Sequence, residues 1–303
     1  MIIENDLNDK NKFTDINYVV ISPVKNEAEY IGLTIESMIH QNIKPSVWII
    51  VNDGSTDETE KIVLKYTKDN PWIKLINRPG DVVRRRGRGV VDTFYVGFEI
   101  IDQNFDFVVK LDGDVSFEPD YFESLIKEFL SDPSLGIAGG GLYEKPDGKT
   151  WILNTTEDHV RGATKVYRRE CFEAIGGLKP SMGWDGIDEW TALSKGWKVR
   201  SILNLKFMHY RYTGAATGYL KSFYEQGYGA YRMGYHLFYI IARGVRRMTD
   251  RPYIIGGLAL IWAYLIAWVR QEEFLADAEV VQFIRKTQLQ KLAGLIKGIP
   301  VHE

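Results

Sequence analysis

Three short polar segments hold the side chains with the widest chemical scope. The first is PVKNE, which contains Pro23, Val24, Lys25, Asn26 and Glu27. The second is NDGSTD, residues 52–57, with Asp53 near its start. The third is DGD, in which Asp112 and Asp114 flank Gly113. Two carboxylates separated by a glycine can aim at one hard cation, and Mg2+ or Mn2+ characteristically joins one or two carboxylates to a substrate's phosphates. The chemistry to expect is a nucleoside-diphosphate site bridged by a metal. Taken singly, each segment also reads as an ordinary turn, because Asp and Gly after a strand favour one. A fourth segment, with Arg84, Arg85, Arg86 and Arg88, reads either as a solvated loop or as a clamp on phosphate, which guanidinium groups bind in a bidentate manner.

These segments need elements that bring them together. Apolar runs predict buried strands at 18–22, 47–51, 73–76 and 107–111, and helical periodicity predicts helices at 28–41, 57–68, 90–101 and 119–130. Ser55 or Thr56 is the expected N-cap of the second helix. Strands alternating with helices imply βαβ units and an α/β fold with a mostly parallel sheet flanked by helices. Ligands of such sheets bind outside the carboxyl ends of the strands. The three acidic segments follow the first, second and fourth strands, so they are expected on one edge. Residues 131–212 read as mixed, with strands at 136–143, 162–167 and 199–208 and helices at 171–175 and 188–195. Neither GxGxxG after the first strand nor GxxxxGK[ST] occurs, which argues against dinucleotide-binding and P-loop sites.

The chain of 303 residues is 45% hydrophobic and 26% charged, the balance of a globular protein. Its 38 basic and 40 acidic residues leave a net charge of -2, which gives no basis for nucleic-acid binding. A lone cysteine, Cys171, excludes an intramolecular disulfide, fits a reducing compartment and is expected to serve packing. Residues 1–16 form a polar lead-in without the features of a secretory signal. The composition shifts near residue 212, which separates an expected catalytic domain (17–212) from a C-terminal helical region (213–303). That region contains an uncharged stretch, 253–269, with Arg243, Arg246, Arg247 and Arg251 before it and Arg270 after it. As a helix it is roughly 25 Å long, short of the ~30 Å hydrocarbon core of a bilayer. Arginines at both ends suit a helix lying in one leaflet among anionic headgroups. The expectation is a peripheral or monotopic protein on the cytoplasmic face of a membrane; a helix packed on the catalytic domain is the alternative.

Together PVKNE, VNDGSTDET and KLDGD, at these intervals, resemble the nucleotide-binding half of family-2 glycosyltransferases, over about residues 17–210. The resemblance implies a GT-A fold, a divalent metal (Mg or Mn), inversion at the anomeric carbon, and a nucleotide-sugar donor, with a UDP-sugar preferred over a GDP-sugar. It places Asp53 on the nucleobase or ribose, Glu27 near the ribose, Asp112 toward the ribose side and Asp114 on the metal. Asn52 stands where the family usually has a second acid. His209, in MHYRYTG, resembles a late metal or diphosphate ligand of many GT-A enzymes, although a lone strand histidine is also a common structural residue. The family's carboxylate base precedes a helix, which here falls in GWDGIDEW; Asp185 is favoured, and Asp188 is read as that helix's N-cap or as the base instead. The acceptor implied is lipid-linked or a glycan. A nucleotidyltransferase and a non-catalytic, membrane-bound nucleotide-binding adaptor are the competing readings.

Overall fold

The computed structural model describes residues 16–80, 87–212, 219–249 and 252–296. Its frame is a nine-stranded sheet. The first four strands, β1 (Tyr18–Val24), β2 (Val47–Asp53), β3 (Ile73–Arg78) and β4 (Phe107–Leu111), lie in the order β3-β2-β1-β4 and are all parallel. Helices α1 (Ile31–Ile39), α2 (Thr59–Thr67) and α3 (Arg88–Phe98) make the crossovers. Near-continuous apolar runs such as VWIIV are required because both faces are covered. Val20, Ile50 and Val109 pack with Ile35, Phe122 and Phe129 on one face. Val19, Ile21, Ile49 and Val108 pack with Val91, Phe94 and Phe172 on the other.

Beyond β4 the sheet is mixed, and here the expectation of a mostly parallel sheet is corrected. After β5 (Val115–Phe117) and α4 (Tyr121–Ser131) come β6 (Leu135–Glu144), β7 (Ile152–Leu153), β8 (Thr164–Arg168), α5 (Arg169–Ala174), α6 (Trp184–Ser194) and β9 (Lys198–His209). β8 runs antiparallel between β4 and β6, β5 runs antiparallel to β9, and only β6 and β9 are parallel in this half. Parallel neighbours require a crossover of a dozen or more residues. Only Asp112, Gly113 and Asp114 separate β4 from β5, so the chain turns onto a different part of the sheet. The three residues of β5 are too few to carry a periodic signal.

The C-terminal helices are α7 (Tyr219–Arg232), α8 (Leu237–Arg247), α9 (Ile255–Val269) and α10 (Ala278–Ile296). No helix among the described residues is long and apolar enough to cross a membrane. The uncharged stretch becomes α9, which buries Gly256, Gly257, Leu260, Ala263, Tyr264 and Ala267. Gly257 lets α8 and α9 cross at close range, since a Cβ there would lie 2.2 Å from the carbonyl oxygen of Gly244. α10 packs onto α6, with Val280, Val281 and Ile284 against Ile187. The C-terminal region therefore supports the helix that carries Asp185 and Asp188.

Candidate active site

The acidic segments meet past the ends of β1, β2 and β4. The first two loops are stapled together. The Asn26 N–H donates to Ser55 Oγ at 2.9 Å, and Asn26 Oδ1 accepts from the Thr56 N–H at 2.8 Å. The Glu27 N–H donates to Thr59 Oγ1 at 2.8 Å and the Ala28 N–H to Asp57 Oδ2 at 3.0 Å. Asn26 has φ of 52°, a left-handed conformation that asparagine tolerates better than most residues. Its side chain thus builds the loop. The second helix begins at Thr59, and Asp57, rather than the expected Ser55 or Thr56, accepts from the Thr59 N–H at 3.1 Å.

Pro23 is half-buried near the end of β1, opposite Val51, and Val24 is buried against the DGD turn. A Cβ on Gly113 would stand 3.0 Å from Val24 Cγ1 and 3.3 Å from Glu27 Cγ, so a larger residue would push the two acidic loops apart. Asp53 ends β2 and forms an ion pair with Arg78 of β3 at 3.2 Å. Asn52 donates to Asn77 Oδ1 at 2.8 Å and accepts from the Ser55 N–H at 3.0 Å, so an amide closes the loop there. Glu27 is buried and held by Arg211 in a two-point ion pair, with contacts of 2.8 and 2.7 Å.

Asp112, Asp114 and His209 form a cluster whose ligand atoms all lie within 4.8 Å of one another. The sheet assembles it: β5 and β9 pair antiparallel, so Val115 is opposite His209, and the Tyr210 N–H donates to the Asp114 carbonyl at 3.0 Å. Lys110 donates to Asp112 Oδ1 and, at 2.8 Å, to the Gly162 carbonyl. Burial opposes the charge on Asp114, yet the hydrogen bond and charge of His209, with Arg211 and Lys110, hold its carboxyl below the usual range. Burial likewise opposes the charge on His209, but hydrogen bonds to Asp114 and Glu144 prevail and raise the imidazole to about 10. Two carboxylates and an imidazole in this geometry fit a divalent cation once the ring gives up the proton on one nitrogen.

Helix α6 starts four residues earlier than its periodicity predicts, with Gly183 as N-cap in the left-handed conformation. This corrects the reading of Asp188 as the N-cap. Asp185 lies in the first turn and is partly exposed. A Cβ on Gly162 would lie 3.4 Å from Asp185 Cβ, and the Gly162 carbonyl is bound by the lysine that also pairs with Asp112. Asp188 faces the interior. Its side chain and that of Lys165 are fully buried and paired at 3.0 Å, and the Tyr167 hydroxyl donates to Asp188 Oδ2. Lys165 also pairs with Glu189 at 2.9 Å and donates to the Asp185 carbonyl at 2.6 Å. Burial drives the Asp188 carboxyl upward against the pull of Lys165 and Tyr167.

Asp188→Ala is consequently expected to cost about 3 kcal/mol, the lower end for breaking a buried ion pair, because Glu189 still compensates Lys165. Loss of an N-cap costs only about 1 kcal/mol. Urea unfolding of the variant distinguishes the two magnitudes.

Arg84, Arg85 and Arg86 lie outside the described residues; Arg88 is exposed and pairs with Asp92 at 3.5 Å. Cys171 is buried in the core, as expected. Sequence reading missed Lys110, Glu144, Lys165 and Arg211. The first three had a signal: each is a charged residue in a run otherwise read as a buried strand or at its end. Arg211 had none beyond lying two residues after His209.

The profile of "Glycosyl transferase family 2" matches residues 19–183, more than half of the chain, and the chain belongs to that family. A chondroitin synthase of Pasteurella multocida is 31% identical over 113 residues, covering 37% of this chain and 11% of that protein. A putative glycosyltransferase, EpsH, of Bacillus subtilis is 28% identical over 232 residues, covering 69% of this chain and 65% of its own. The chain thus spans about a tenth of the first relative and just under two thirds of the second. Among solved structures, a mannosyltransferase of Pyrobaculum calidifontis in complex with GDP-Man and Mn2+ superposes with a TM-score of 0.52 at 17% identity, covering 98% of this chain and 89% of its own. TarS of S. aureus in complex with UDP-GlcNAc gives 0.52 at 16% identity, covering 94% and 82%. These structural likenesses concern the fold.

Proposed function

We propose that the protein transfers a sugar from a nucleoside-diphosphate donor to an acceptor hydroxyl with inversion, and that Asp112, Asp114 and His209 hold a divalent cation for it. The observation that carries this reading is that Gly162 connects the Asp112–Asp114–His209 cluster to the partly exposed Asp185: Lys110 donates to both Asp112 and the Gly162 carbonyl, and Asp185 packs beside Gly162. The cation, when bound, neutralises charge gathering on the departing diphosphate. Asp185 accepts the proton of the acceptor hydroxyl. The acceptor oxygen then bonds to the anomeric carbon as the bond to the diphosphate breaks, and the bonding electrons leave with the diphosphate. Asp188 anchors the helix that carries Asp185.

Asp53 and Glu27, each held by an arginine, supply carboxylate oxygens for the nucleobase and ribose, with Pro23, Val24 and Asn26 shaping that part of the site. UDP is the preferred nucleotide and GDP the second; the neighbours with UDP-GlcNAc and with GDP-Man support both. The two carboxylates suit Mg2+ or Mn2+, and the neighbour solved with Mn2+ makes Mn2+ the first ion to test. Calorimetry of UDP and GDP, with and without Mn2+, tests the site. The expected result is binding of one diphosphate that is strengthened by Mn2+; no binding of either in the presence of Mn2+ overturns the reading.

The same reading places the protein peripherally on the cytoplasmic face of a membrane, with a lipid-linked or glycan acceptor. Its support is an apolar face across two helices: Phe238, Ile241 and Val245 on α8, and Leu258, Trp262 and Val269 on α9, are all exposed, Trp262 to 63%. Residues 236–270 contain five arginines and one aspartate, a charge suited to anionic lipid. Flotation with anionic liposomes is expected to recover the protein, and Leu258→Glu with Trp262→Glu to abolish recovery. Equal recovery of both forms refutes the role of this face. Point variants are needed here because deleting the C-terminal helices would uncover Ile187 of α6.

A further inference from the structure

We infer that Glu144 is a positioning residue for the cation: it orients the His209 ring so that Nε2 is the atom offered to the metal. This rests on the cation reading of the Asp112–Asp114–His209 cluster.

Glu144 is the last residue of β6, and the parallel register of β6 and β9, with Tyr143 opposite Met208, sets it beside His209. Its side chain is fully buried, and Oε1 lies 2.7 Å from His209 Nδ1. The other ring nitrogen, Nε2, lies 3.5 Å from Asp114 Oδ1. An ionised carboxylate only accepts hydrogen bonds, so in the neutral imidazole Glu144 requires the proton on Nδ1 and leaves the Nε2 lone pair for a cation. Carboxylates behind metal-ligating histidines fix ring orientation and raise ligand basicity in this way.

Glu144 is itself fixed. Its Oε2 accepts from Asn154 Nδ2 at 2.7 Å. The Asn154 N–H donates to the Leu142 carbonyl at 2.8 Å, and the Asn154 carbonyl accepts from Arg161 Nε and Nη2 at 3.0 and 2.8 Å. The contacts thus run from the loop before β8 through Glu144 to His209 and Asp114.

The test is Mn2+ binding to the full-length protein at one fixed pH and without donor, read by the electron paramagnetic resonance of free Mn2+, alongside the metal-free unfolding temperature. Glu144→Gln keeps size and shape but removes the charge and the obligatory acceptor. It is expected to weaken Mn2+ about 10- to 100-fold, the usual loss for an outer partner of a metal ligand. Asn154→Ala, which removes one hydrogen-bond donor to Glu144, is expected to weaken Mn2+ less and serves if Glu144→Gln does not fold. Unchanged Mn2+ affinity in whichever of these variants folds, whatever happens to the unfolding temperature, makes Glu144 purely structural and overturns the inference. Failure of the unaltered protein to bind Mn2+ overturns the cation reading itself, a result distinct from equal binding by protein and variant.

Discussion

Asp114→Ala is expected to abolish sugar transfer, with a rate loss on the order of 10²–10³ or more, the scale for removing a group that stabilises charge in the transition state. Asp114 is buried directly after the DGD glycine, with its backbone pinned to Tyr210 and its carboxylate turned to His209. Against the effect of burial, His209, Arg211 and Lys110 hold its carboxyl below the usual range. Asp112→Ala is expected to do less, because Asp112 is partly exposed and already paired with Lys110. The assay measures transfer and donor hydrolysis across a Mn2+ titration and in excess chelator. A cation site predicts chelator-sensitive activity in the unaltered protein and no Mn2+ response in Asp114→Ala; full activity in chelator would falsify it.

Asp185→Asn is expected to lower turnover by about 10²- to 10⁴-fold, the range for a general base, while leaving nucleotide affinity nearly unchanged. Asparagine preserves shape but cannot take the acceptor's proton. The carbonyl of residue 185 would still accept from Lys165, so the helix start should hold. The informative comparison is Asp188→Ala, for which stability rather than chemistry should suffer first. If a folded Asp188→Ala protein loses turnover as completely as Asp185→Asn, while Asp185→Asn retains it, the roles of the two aspartates are reversed. Unfolding curves of both variants must accompany the kinetics, because about 3 kcal/mol is a large share of a typical domain's stability.

The sequence by itself determined what depends on local pattern. Runs such as VWIIV and FVVKL could only be strands covered on both faces, and the polar segments after them had to fall on one edge of a parallel sheet. Gly113 between two aspartates announced a turn that gathers carboxylates. The early start of α6 was less legible, since Gly183 as cap carries no side-chain signal and Asp188 mimics a capping residue. What only the tertiary structure decided depends on partners distant along the chain. The long side chains of Lys165 and Tyr167 on β8 reach Asp188 of α6, and that pairing separates a buried anchor from the partly exposed Asp185 three residues earlier. Arg211 reaches Glu27 across 184 positions, and Glu144 reaches His209 across 65. The apolar stretch 253–269 looked uniform, yet packing against α7 and α8 covers one side of α9 and leaves Leu258, Trp262 and Val269 outside. Hydrophobic periodicity reports which residues avoid water, but an ion pair is chosen by which strands and helices the sheet order brings together.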